Sequence, residues 1–140
     1  MKGSEQAFKV LIVDDDLDVR ERLSNILKRR GYVVLTAVNG QEGSMKAVEN
    51  KVDIVICDIF MPNMNGMEFL KEIRRINLNT EVIVVTGNPT IEVCVQSFEK
   101  DAIDYLIKPL TVEAILNSLG KAEKRIHEKV ATHHFSHHNQ

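Results

Sequence analysis

The chain has 140 residues, 44% of them hydrophobic and 27% charged, with a formal net charge of -2. That length fits one ordinary domain able to bury a core without disulfides or a structural metal, and leaves no room for a second catalytic domain. The small net charge gives no electrostatic case for direct contact with nucleic acid or with an anionic membrane, either of which favours a basic excess.

In chain order, short β-branched runs at Val10 to Val13, Tyr32 to Ala37, Ile54 to Cys57, Val82 to Val85 and Tyr105 to Ile107 predict five strands. None of these runs is long enough to span a bilayer. Between the first and second, Val19, Leu23, Ile26 and Leu27 repeat at helical spacing. Asp18 with Glu21 offers a capping box, and Arg29, Arg30 and Gly31 offer a stop. Asn39-Gly40 reads as a turn, and a weaker helix follows over Gln41 to Glu49, its propensity lowered by Gly43. Further helical stripes are Met67, Leu70 and Ile73, then Ile91, Val95 and Phe98, and last Val112, Ile115, Leu116, Leu119 and Ala122.

The order is therefore (βα)5. Continuously apolar strands are buried on both faces, so a parallel, doubly wound α/β sheet with right-handed crossovers is expected. Such sheets bind ligands beyond the carboxyl ends of their strands. The residues that fall there are Asp14, Asp15 and Asp16 after the first strand, Asp58 after the third, Thr86 after the fourth and Lys108-Pro109 after the fifth. Any one of them alone also fits a helix cap, a turn or a solvated lysine. Together they form a group that caps do not require. Crowded carboxylates repel unless a cation is present, and oxygen-only ligands favour Mg2+ or Mn2+ over zinc. In that setting Asp58 is a candidate carboxylate nucleophile for a phosphoryl group, with Lys108 and Thr86 contributing charge and a hydroxyl donor.

Met1 to Gln6 lacks the apolar stretch of a signal peptide, so a cytoplasmic location is expected. Cys57 and Cys94 have neither CxxC nor Cys/His spacing, and both are expected to be reduced core thiols.

The segments Val10-Leu11-Ile12-Val13-Asp14-Asp15-Asp16, Asp58-Ile59-Phe60-Met61-Pro62-Asn63-Met64-Asn65-Gly66, Val84-Val85-Thr86-Gly87 and Asp104-Tyr105-Leu106-Ile107-Lys108-Pro109 resemble, at matching spacing, the receiver domains of two-component response regulators. The likeness runs from about Phe8 to about Ile126. It implies a flavodoxin-like, CheY-like fold with strand order 2-1-3-4-5, spanning a receiver domain over 7–127, with 128–140 as a flexible His-rich tail or the start of a linker.

The resemblance also implies roles. Asp58 matches the phosphoacceptor. Asp15 and Asp58 match direct metal ligands, Asp14 acts through water, and the backbone carbonyl of Phe60 completes the protein's share. Thr86 and Tyr105 match a switch pair, Lys108 the phosphate-binding lysine, and the Lys108-Pro109 bond is expected to be cis. Gly43 and Asp101 stand where the family often has Ala and Gly. The partners implied are a sensor histidine kinase or phosphotransfer protein, a downstream protein or output domain, and a second copy docking through the surface of Ile91 to Lys100, the fifth strand and the helix from Val112. The implied role is a phosphoacceptor signalling domain that assists only its own phosphorylation and dephosphorylation. Two other readings are a haloacid-dehalogenase-like phosphatase using Asp14 and Asp16, and a pseudo-receiver that is not phosphorylated. The four histidines at 133, 134, 137 and 138 also admit zinc or nickel binding, against which a mobile tail is the simpler expectation.

Overall fold

The computed structural model describes residues 7–59, 66–76, 79–87 and 102–138, with side chains described for all of these except 66, 67 and 131–138. Five strands, β1 (Lys9–Val13), β2 (Val33–Ala37), β3 (Ile54–Asp58), β4 (Glu81–Thr86) and β5 (Asp104–Ile107), form one sheet in the order β2-β1-β3-β4-β5, and every pairing is parallel. β3 and β4 are buried along their whole length, as continuously apolar interior strands must be, whereas β2 and β5 stay half-exposed at the edges.

The described helices are α1 (Leu17–Arg29), α2 (Gly40–Asn50), α3 (Gly66–Ile76) and α4 (Val112–His138). Alternate residues of each strand serve opposite faces. Leu11, Val13, Val55, Cys57, Val82 and Val84 meet Phe69, Leu70 and Ile73 of α3 on one side. Val10, Ile12, Ile54, Ile56, Ile83 and Val85 meet Leu23 and Leu27 of α1 and Ile115, Leu119 and Ala122 of α4 on the other. The predicted helix over Ile91 to Phe98, together with Cys94 and Asp101, lies outside the described residues.

Helix ends follow local chemistry. The start of α1 corrects the expected Asp18/Glu21 capping box: Asp16, in an extended conformation, is the N-cap, and its carboxylate accepts from the amides of Asp18 and Val19. Asp18 instead sits in the first turn, where a carboxylate favours the positive end of the helix dipole. Asn39 is more than a turn residue, because its side chain caps α2 by accepting from the amide of Glu42. Gly31 ends α1 with φ +91, a left-handed conformation that suits glycine. Gly43 has a packing reason: a Cβ there would stand 3.0 Å from both Phe69 Cε1 and Val13 Cγ2, so its absence lets α2 approach β1 and α3.

Helix α4 does not end with the core. Beyond Ala122, the Tyr32 hydroxyl donates to Glu123, the Phe8 ring lies 5.8 Å from the His127 ring, and Lys129 pairs with buried Glu81 at 2.5 Å. Tyr32, Phe8 and Glu81 stand at the amino-terminal ends of β2, β1 and β4, so the helix is held across that edge of the sheet. It is helical from Val112 through His138 without a break.

Candidate functional site

Because the strands are parallel, their carboxyl ends share one edge. Asp14 follows β1, Asp58 closes β3, Thr86 closes β4 and Lys108 follows β5. Val13 is level with Cys57 in the sheet, which sets Asp14 beside Asp58. The amide of Lys108 donates to the Thr86 carbonyl at 2.8 Å, extending the β4–β5 ladder to the lysine. The Lys108-Pro109 peptide bond is cis.

Asp14, Asp58 and Thr86 are buried, and Asp15 is exposed. One carboxylate oxygen from each of Asp14, Asp15 and Asp58 lies within 4.8 Å of the others. Lys108 Nζ reaches into this group, 3.0 Å from Asp58 Oδ2 and 3.3 Å from Asp14 Oδ2. The other oxygen of Asp14 accepts from the amide of Asp16 at 2.9 Å.

Burial is the largest influence on Asp14 and lifts its carboxyl above the usual aspartate value. The charge of Asp58 adds to this, while the Asp16 amide and Lys108 oppose it. Burial alone would lower Lys108, but the hydrogen bonds and charges of Asp58 and Asp14 outweigh it and hold the ammonium above its ordinary range. The site thus keeps a cation between two buried acids. Three hard oxygen donors at one water-accessible edge also suit a hard divalent cation, since only such an ion would relieve the remaining repulsion of three carboxylates.

The other expected residues fall as follows. Thr86 is fully buried, and Tyr105 is half-buried against the α3-side core. Cys57 is a buried free thiol whose pKa burial pushes well above the usual value, with Asp58 and Asp14 adding to the effect. Asp16 is occupied as the cap of α1, which works against a phosphatase built on Asp14 and Asp16. The Phe60 carbonyl, the Met61-Pro62 loop and the surface of Ile91 to Lys100 lie outside the described residues.

Two features escaped the sequence reading. Arg20 Nη1 donates to the Asp14 carbonyl at 2.7 Å, fixing the peptide that carries the acidic pair; its place one turn after Asp16 is the signal that could have found it. Asp104 accepts from fully buried Ser118 at 2.5 Å and pairs with Lys121 at 3.1 Å while its other oxygen receives the Tyr105 amide, so β5 is tied to α4 directly beside Tyr105.

The profile of the family described as response regulator receiver domain matches residues 10–120. The chemotaxis protein CheY of Thermotoga maritima is 37% identical over 117 residues, which are 83% of this chain and 98% of that protein. The transcriptional regulatory protein ZraR of Klebsiella oxytoca is 36% identical over 119 residues, 85% of this chain, and the chain spans only 27% of that relative's length. Among solved structures, a CheY-like receiver domain protein from Methanospirillum hungatei superposes with a TM-score of 0.81 at 29% identity, covering 88% of this chain and 99% of that one. The response regulator TrrA of Thermotoga maritima, solved in complex with Mg2+-BeF, gives 0.75 at 30% identity, covering 82% and 98%. With the parallel sheet in its 2-1-3-4-5 order and the acidic edge answered by Lys108, these likenesses show that the chain belongs to the response-regulator receiver domains of two-component signalling.

Proposed function

We propose that the domain accepts a phosphoryl group on Asp58 from a histidine kinase or phosphotransfer protein, with Asp14, Asp15 and Asp58 holding Mg2+ and the Phe60 carbonyl completing the set. The observation that carries this reading is the shared ammonium: Lys108 Nζ stands 3.0 Å and 3.3 Å from two buried carboxylates at the ligand-binding edge of the sheet. Bound there, the divalent cation supplies charge neutralisation for the phosphoryl oxygens. An oxygen of Asp58 attacks phosphorus, the bond from phosphorus to the donor's imidazole nitrogen breaks, and the imidazole leaves with the bonding pair and takes up a proton. Asp58 becomes an acyl phosphate, while Lys108 pairs with a phosphoryl oxygen and Asp14 keeps its grip on the Asp16 amide. Mn2+ is an acceptable substitute on the same donor chemistry. The domain acts only on its own phosphorylation state.

Asp15→Asn is expected to weaken Mg2+ binding by about tenfold or more, read from amide shifts at residues 14–16 and 58–59 in an NMR titration. Undiminished affinity in that variant would move the ligands elsewhere. Affinity should also fall as pH drops, beginning above the ordinary aspartate range, because the raised carboxyl of Asp14 binds a proton in competition with the metal. In the metal-free protein the same shift stabilises the fold at acid pH, below the unfolded value, and that contribution is lost as pH rises through the folded one.

Phosphorylation reads out through Thr86 and Tyr105. The new anion draws the Thr86 hydroxyl inward, and Tyr105 moves into the space it leaves, rearranging the face of Ile91 to Lys100, β5 and α4 that meets a partner or a second copy. Asp104, bonded to the Tyr105 amide and to Ser118, gives that movement a link to α4. Beryllofluoride, which stands in for the phosphoryl group, should shift this face by NMR or drive dimerisation in wild type and much less in Thr86→Ala. Equal responses would separate Thr86 from the output. The length of the ZraR relative supports an output module beyond the receiver. Among the described residues no helix is long and apolar enough to cross a membrane. A cytoplasmic location is proposed from membership of the receiver-domain family.

A further inference from the structure

Arg20 holds the acidic turn at two points. Its amide donates to the Asp16 carbonyl at 3.1 Å, the first helical bond of α1, and its guanidinium Nη1 donates to the Asp14 carbonyl at 2.7 Å. Those two carbonyls bracket Asp15. The Asp14 carbonyl and the Asp15 amide belong to one planar peptide unit, so a bond to that oxygen constrains ψ of Asp14 and φ of Asp15 together. Upstream, the Asp14 amide donates to the Ala37 carbonyl of β2 at 3.1 Å, and one oxygen of the Asp14 carboxylate accepts from the Asp16 amide at 2.9 Å. Asp15 is the exposed member of the acidic group, whereas Asp14 and Asp58 are buried and paired with Lys108. Packing therefore does least for Asp15, and the direction of its carboxylate depends most on its backbone. Any donor, water included, would satisfy the Asp14 carbonyl. A side chain rooted in the first turn of α1 also ties that peptide to a rigid element.

We infer that Arg20 is a positioning residue for the Mg2+ step of phosphorylation: by clamping the Asp14 carbonyl to α1 it aims the Asp15 carboxylate at those of Asp14 and Asp58. The inference rests on the reading of these three acids as the Mg2+ site. Arg20 itself touches no reacting atom. Position and charge make opposite demands here. A cation beside the site repels Mg2+, so by charge alone its removal would tighten binding, as expected for Lys108. Loss of the clamp instead frees the peptide and weakens binding.

The test is an NMR titration of the whole chain with Mg2+ in wild type, R20M and R20K. R20M deletes both the donor and the charge and should bind about tenfold more weakly. In the metal-free variant the Asp16 amide, bonded to Asp14 Oδ1, should exchange faster than in wild type. Phosphorylation by acetyl phosphate should slow most at low Mg2+ and recover as Mg2+ is raised. R20K keeps the charge on a head without the planar fork and should fall between wild type and R20M. Unfolding is read separately, from the amide shifts of β3 and β4. If R20M lost those shifts, R20K would decide, with wild-type affinity and wild-type Asp16 exchange counting against the clamp. Unchanged or tighter Mg2+ binding in folded R20M would overturn the inference and leave the Mg2+ reading standing, whereas a wild type that binds no Mg2+ would remove that reading itself.

Discussion

Lys108→Met is expected to slow phosphorylation of Asp58 by about 100-fold, the usual cost of removing one preorganised charge donor from a developing anion. Methionine keeps an unbranched apolar stem and deletes the ammonium, so the change isolates charge from bulk. In the resting site that ammonium lies 3.0 Å from Asp58 Oδ2 and 3.3 Å from Asp14 Oδ2. Its loss has two consequences of opposite sign. The acids repel more strongly, which lifts the carboxyl of Asp14 further and sharpens the demand for a cation, so Mg2+ affinity at neutral pH should rise. The phosphoryl oxygens meanwhile lose their lysine partner, so the rate of adduct formation at saturating Mg2+ should collapse. Tighter metal with slower phosphorylation is a combination that simple misfolding does not produce. A variant that phosphorylates at the wild-type rate would remove Lys108 from the chemistry.

The interior strands were legible because burial on both faces demands continuous apolar runs, and the half-exposed edge strands because of their β-branched and aromatic residues; each observed strand begins and ends within one residue of the expected one. The site followed from them, since parallel strands send every following residue to one edge. The cap of α1 was misassigned for a physical reason. Asp14, Asp15, Asp16 and Asp18 are all chemically able to cap, and the choice depends on where β1 releases the chain: Asp14 is claimed by Lys108 and the Asp16 amide, leaving Asp16 as the acid in extended conformation before the helix. Arg20 sits one turn after Asp16, a local signal the reading passed over, whereas the Asp104–Ser118 bond joins polar residues of two different elements and leaves no periodic trace. The continuation of α4 past Ala122 was legible in Ile126 and Val130, which stay roughly in phase with its apolar face, but its anchoring was not. Ile126 continues the apolar stripe, but the helix beyond Ala122 is also held by the contacts of Glu123, His127 and Lys129 with Tyr32, Phe8 and Glu81, each set by tertiary structure. Gly43, read from propensity as a weakness, is where Phe69 and Val13 come closest to α2.

The central claim is that Asp58 is the phosphoacceptor, and its most direct test is intact-mass analysis after incubation with acetyl phosphate and Mg2+. Asp58 ends β3 buried beside Cys57, with Lys108 in contact and the carboxylates of Asp14 and Asp15 close by. Wild type should gain the mass of one phosphoryl group, and the adduct should be lost in base or hydroxylamine, as an acyl phosphate is. Asp58→Asn keeps the size of the side chain, removes the nucleophilic carboxylate and should show no adduct under the same conditions. A phosphoryl group that still appears on Asp58→Asn, with the same lability and in the same yield, would contradict the assignment.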